Sequence, residues 1–156
     1  MRDKAVKVFI NTFERLKWVK CMKDTVIMLE LNLYFDNDTN MQEISQQIGL
    51  EPTQSVNKAS RRKSPFKDDN LEGYWQISTG YIKTYYFEEV SKALIGKITP
   101  YLNKIKYALD TYDGNADFCI VPEFNKNKTP AICFDKDFLN VVNYLNATIQ
   151  IDMYVN

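Results

Sequence analysis

A chain of 156 residues that is 45% hydrophobic and 26% charged can bury one sizeable core but is too short for two, and its composition excludes an intrinsically disordered protein. Its 20 basic and 20 acidic residues cancel, so no global charge draws it to nucleic acid or anionic lipid. It has no histidine, which excludes Ser-His-Asp and Cys-His catalysis and removes the commonest zinc ligand.

Cys21, Cys119 and Cys133 are an odd number without metal-type spacing, and read as reduced thiols of a cytoplasmic protein. The basic N-terminus lacks the apolar run of a secretory signal. No stretch reaches the roughly 20 apolar residues that a membrane span needs. The Asn-x-Thr triplets at Asn37, Asn127 and Asn146 are then chance occurrences. No cofactor and no metal are expected.

Positions 1–24 form a segment of their own. Arg2, Lys4, Lys7, Arg15, Lys17, Lys20 and Lys23 face only Asp3, Glu14 and Asp24, while Val6, Phe9, Ile10, Phe13 and Leu16 recur at helical spacing. The pattern predicts a basic amphipathic helix packed on a single domain spanning 25–156. Val26 to Phe35 then alternates strictly. Ile27, Leu29, Leu31, Leu33 and Phe35 share one side, and Val26, Met28, Glu30, Asn32 and Tyr34 the other, as in a strand with one core face. Asp36, Asp38 and Asn40 mimic the opening of a calcium loop, but Met41 stands where that loop needs Gly and Gln47 where it needs Glu. The better reading is a helix capped by Asn40, with Glu43 reaching back, burying Met41, Ile44 and Ile48 and ending at Gly49.

Residues 54–73 read as one long polar loop. Its Lys58, Arg61, Arg62, Lys63 and Lys67 make it a candidate contact for an anion or an acidic partner. Tyr74 to Ser78 predicts a short strand with Trp75 and Ile77 inward. Phe87 through Tyr112 steps by three and four around Pro100, which predicts two helices or one kinked helix, with Thr99 capping the second part. Phe118–Phe124 and Thr129–Phe134 predict a hairpin that sets Cys119 opposite Cys133. Asp135 caps a helix that turns Phe138, Val141, Val142 and Leu145 inward. In the closing strand Ile149, Ile151, Met153 and Val155 point inward, with Thr148, Gln150, Asp152 and Tyr154 outward.

These elements predict an α+β fold: a mixed or antiparallel sheet of about five strands with helices on one face. Tyr34-Phe35-Asp36 and Cys133-Phe134-Asp135 each open a helix, which suggests a ferredoxin-like, duplicated strand-helix-strand plan.

In that order the landmarks resemble the bacterial family known as domain of unknown function four-two-seven-nine, over about residues 28–156. The residues that carry the resemblance are the opening strand, Glu43-Ile44 leading to Ile48-Gly49-Leu50-Glu51-Pro52-Thr53, Trp75-x-Ile77-Ser78, and Ile98-Thr99-Pro100. Phe134-Asp135-x-Asp137-x-Leu139 through Ile151-Asp152-Met153-Tyr154 completes the set. The chain departs from the family at Asn57-Lys58-Ala59-Ser60, where the family has a glycine. The resemblance implies a small α+β domain and supplies no catalytic residues.

The wet side of the sheet is the main functional clue. Glu30, Asn32, Tyr34, Gln76, Gln150, Asp152 and Tyr154 combine tyrosines with acids and amides, the chemistry of a protein-binding patch. This predicts a non-catalytic protein-binding module of an immunity-type or regulatory kind, with an unidentified protein partner or a second copy of itself. One alternative is a nucleic-acid-binding protein using the basic loop 58–67. The other is a Mg²⁺-dependent or acid–base enzyme built on Asp36, Asp38, Asp135 and Asp137.

Overall fold

The structure is a computed structural model that describes residues 24–35, 38–61 and 72–156. The helix expected over the basic N-terminal segment lies outside the described residues, as do Asp36, Arg62, Lys63 and Lys67.

Strand β1 (Val26–Phe35) is the axis of the molecule. Its odd-numbered residues, Ile27 to Phe35, are fully buried, as the alternation predicts. β3 (Gly73–Ser78) runs antiparallel along one side, with Leu33 opposite Trp75 and Leu31 opposite Ile77. β5 (Gly114–Phe124) runs antiparallel along the whole of the other side, from Val26 opposite Glu123 to Phe35 opposite Gly114. β2 (Gln54–Val56) flanks β3, and β4 (Ile82–Lys83) pairs with the start of β1. Beyond β5, β6 (Thr148–Ile151) and β7 (Tyr154–Val155) lie parallel to it. The result is a mixed seven-stranded sheet of order β2-β3-β1-β5-β6, with β4 beside β1 and β7 beside β5.

The helices are α1 (Met41–Ile48), the single turn α2 (Lys58–Arg61), α3 (Phe87–Ile98), α4 (Leu102–Thr111) and α5 (Lys136–Leu145). The longer four cover one face of the sheet. Ile44, Ile48, Val90, Leu94, Ile98, Ile105, Leu109, Phe138 and Leu145 join the odd-numbered residues of β1 in one core.

Local signals behave as the sequence suggests at both best-defined helix starts. Asn40 Oδ1 accepts from the Gln42 amide at 3.0 Å, and the Asn40 amide donates to Glu43 at 3.4 Å. Gly49 closes α1 in the left-handed region at φ 77°. Asp135 Oδ1 accepts from the Phe138 amide at 2.8 Å.

Several expectations need correction. The hairpin does not form: β5 is a strand, but Thr129–Phe134 is irregular apart from a bridge between Ala131 and Tyr86. Both sides of β5 are already occupied, by β1 and by β6 with β7, which leaves no edge for a return strand. Cys119 therefore sits between Glu30 and Gln150, while Cys133 is exposed elsewhere. The stretch 54–73 is not simply a loop, since it contributes β2 and α2. Thr99 does not cap: it lies in a 3₁₀ turn, Thr99–Tyr101, and its hydroxyl donates to Ile95 O at 2.6 Å.

The closing strand is split in two, and Ile151, Met153 and Val155 are exposed rather than inward. The split has a visible cause. Pro122 has no N–H to offer the neighbouring strand, and the ladder lapses opposite it, between the Ile120–Ile151 and Glu123–Tyr154 pairs.

The seam between β1 and β5 leaves no space at Gly114. A β-carbon there would lie 2.5 and 2.7 Å from the ring of the fully buried Phe35, and 3.1 Å from the Tyr34 carbonyl. Gly114→Ala is expected to destabilise the fold by about 1–3 kcal/mol. Urea unfolding checks this, and an unchanged midpoint would contradict it.

Candidate functional site

The pairing register fixes which side chains share the face turned away from the helices. On β1 these are Val26, Met28, Glu30, Asn32 and Tyr34; on β5 they are Asn115, Asp117, Cys119, Val121 and Glu123. β3 adds Tyr74, Gln76 and Ser78, and β6 and β7 add Thr148, Gln150 and Tyr154. All six strand residues predicted for the site, Glu30, Asn32, Tyr34, Gln76, Gln150 and Tyr154, thus stand on one face. Asp152 joins them from the β6–β7 break through the Tyr154 hydroxyl, which donates to its Oδ2 at 2.6 Å.

This far face has three zones. At the start of β1, Val26, Met28 and Val121 are apolar and buried. Beside them Glu123 is also buried, and accepts a hydrogen bond from the Tyr81 hydroxyl.

The middle zone is a polar network. Gln76 Nε2 donates to Asn32 Oδ1 at 2.9 Å. Asn32 stands opposite Asp117 in the β1–β5 register, with Tyr34 next to it along this face, and the Asp117 Oδ1 is buried without a hydrogen-bond partner among the described residues. Asn32 and Asp117 are buried, while Glu30, Tyr34, Gln76 and Cys119 are half-buried. Burial first, then the charge of Asp117, holds the Tyr34 hydroxyl well above the usual tyrosine range, so it remains a proton donor.

The third zone is open to solvent. Gln150, Asp152 and Tyr154 are exposed, and the same edge also exposes Ile151 (42%), Met153 (58%) and Val155 (54%), of which Ile151 and Val155 share the register of Ile120 and Phe124 on the helix side of the sheet. Period-two parity alone could not find this apolar strip, because parity assigned those three residues to the core.

Asp117 was not singled out from sequence either, although its parity with Cys119 and Val121 places it on this face. Burial raises its pKa above the ordinary 3.8, and the polar groups of Tyr34 and Asn32 beside it only partly offset that rise. The folded state therefore binds this proton more tightly than the unfolded chain does. The stabilisation associated with that proton is complete below about pH 3.8 and fades as pH climbs through the raised value. Asp117→Asn carries no charge at any pH, so it should gain stability relative to the parent as pH rises from about 4 to about 7. Paired urea titrations at the two pH values test this, and a difference that stays flat would contradict it.

The other predicted residues are placed differently. Lys58 is half-buried in α2, Arg61 ends that turn, and Arg62 and Lys63 lie outside the described residues. Asp38 is exposed, and Asp135 is engaged as the α5 cap. Among the described residues no three His, Cys, Asp or Glu side chains cluster to hold a metal ion, and no helix is long and apolar enough to cross a membrane.

No curated protein and no solved structure matches the chain. A family model does match, over residues 25–156, which takes in every described strand and helix from β1 to β7. The family is described as Domain of unknown function (DUF4279), and the chain belongs to it.

Proposed function

We propose that this chain is a non-catalytic, cytoplasmic protein-binding module of an immunity-type or regulatory kind, and that its contact surface is the far face of the sheet with the β6–β7 edge. The carrying observation is the exposed strip at that edge. Ile151, Met153, Tyr154 and Val155 are each at least 40% exposed within five consecutive residues, next to Asp152 and Gln150. Consecutive apolar exposure of this kind, edged by polar groups, is characteristic of protein contact sites. Among the described strands it is also an outer one, a position to which an extended chain can add. The carboxylates of Glu30, Asp117, Glu123 and Asp152 favour a basic partner.

The strand order supports a ferredoxin-like plan as the scaffold. β1, β2, β3 and β5 run in the order β2-β3-β1-β5 with helical crossovers, and α5 appends β6 as a further, parallel strand.

Affinity capture from the native cell tests the reading, comparing the parent with an Asp152→Ala, Met153→Ala, Tyr154→Ala triple variant. One stoichiometric protein held by the parent and lost by the variant is the expected result. A partner retained equally by both would contradict it, provided the variant melts like the parent.

A further inference from the structure

The outer β6–β7 strand carries almost no charge. From Phe138 to Asn156 the only charged side chain is that of Asp152. Outer strands that stay single are commonly blunted by Lys or Pro. Residues 148–156 contain neither, and expose Ile151, Met153 and Val155 instead.

The pairing with β5 fixes how this backbone is turned. The Asp152 amide donates to Ile120 O and the Asn156 amide to Phe124 O, both at 2.9 Å. Even-numbered amides therefore point toward β5 on both sides of the break. By strand alternation the backbone groups of Ile149, Ile151, Met153 and Val155 point away from it.

These directions restrict how the strand can meet a copy of itself. Antiparallel neighbours exchange two hydrogen bonds between directly opposed residues, so a two-fold axis can pass only through an odd-numbered residue. An axis through Asp152 would oppose backbone groups already turned to β5, and two like charges as well. An axis at Ile151 sets Ile149 opposite Met153, Gln150 opposite Asp152 and Thr148 opposite Tyr154 of the second copy. Ile151 meets its own equivalent. Apolar residues then face apolar ones on the helix side of the sheet. On the far side the lone acid faces an amide that can donate to it.

We propose that the β6–β7 edge pairs with the same edge of a second copy of this chain, antiparallel about a two-fold axis at Ile151, so that one sheet runs through both. The proposal rests on reading this edge as a contact surface, and it names the partner. Pairing of this kind covers Ile151 and Met153 with residues of their own type, and it places no charge opposite a like charge.

Sedimentation of the purified full chain over a dilution series, with no other protein present, tests it. The parent should reach twice the mass of one chain and no more, because an edge pair about a two-fold axis is closed. Two substitutions at the exposed Gln150 then read the register. Gln150→Lys sets a cation opposite Asp152 on each side of the axis, and should tighten the dimer by about threefold or more. Gln150→Glu sets a carboxylate there and should loosen it by about the same factor. Both variants should melt as the parent does.

A parent that stays a single copy up to about 100 µM would overturn the proposal. So would masses that climb past two copies. A dimer that the two variants shift alike, or leave unmoved, would overturn it by placing the contact elsewhere. The capture experiment is read separately. A single-copy chain whose triple variant still loses a different protein would end self-pairing and leave the docking surface standing.

Discussion

Trp75→Ala is expected to lower the unfolding free energy by about 3–5 kcal/mol, a third or more of the total stability of an ordinary domain. The indole is fully buried, and it is the largest fully buried side chain among the described residues. It stands opposite Leu33 in the β1–β3 pair, and its Nε1 donates to Ser45 Oγ at 3.0 Å. Ser45 Oγ in turn donates to Met41 O at 2.9 Å, so a single side chain ties β3 to the first turn of α1. Truncation opens a cavity too far inside to collapse and strips Ser45 of its donor. Ser45→Ala isolates the second effect: it leaves the indole N–H unpaired and should cost about 1–3 kcal/mol. Equilibrium urea unfolding followed by circular dichroism reads both. A loss below about 1 kcal/mol for Trp75→Ala would mean that this packing is wrong.

Phe138→Ala should be comparably damaging, at about 3–5 kcal/mol. Its ring meets Phe87 and Phe118 edge-on, each at 5.2 Å, and stacks on Phe134 at 5.5 Å. It is the hub where α5, α3 and β5 meet, and its amide is the group that Asp135 caps. The neighbouring Leu139 is 44% exposed, so Leu139→Ala is the matched control and should move stability by no more than about 0.5 kcal/mol. α5 delivers the chain to β6, so the Phe138 variant should also weaken partner capture at denaturant concentrations where the parent still binds. Equal losses for Phe138→Ala and Leu139→Ala in urea titrations would contradict the aromatic cluster.

What the sequence could reveal followed from how local each determinant is. The parity of β1 needs no distant partner, because five apolar residues at every second position leave one way to orient the strand. The caps at Asn40 and Asp135 are equally local, each decided within three residues. Thr129–Phe134 was misleading for a different reason. Its alternation suits a strand, but whether a strand forms depends on a free edge, and β5 has none left. Ile151, Met153 and Val155 have core parity too, yet they lie on the outer strand, where the helices bury only part of Ile149. Pro122 could have announced the break between β6 and β7, but only once β5 was known to run parallel to them. The site shows the same division. Six residues could be assigned to one face by counting. That Asn32 would be tied to Gln76 and stand opposite Asp117, and that the solvent-open part would be Gln150 to Val155, depended on a register set by long-range pairing.

Site-specific photo-crosslinking in the native cell tests the docking surface most directly. A photoreactive phenylalanine analogue would replace Tyr154 in one protein and Tyr107, exposed on α4, in another. The far-face account predicts one dominant adduct of defined mass from position 154 and none from position 107. An adduct from 107 alone, with 154 silent, would place the contact on the helical side and contradict it.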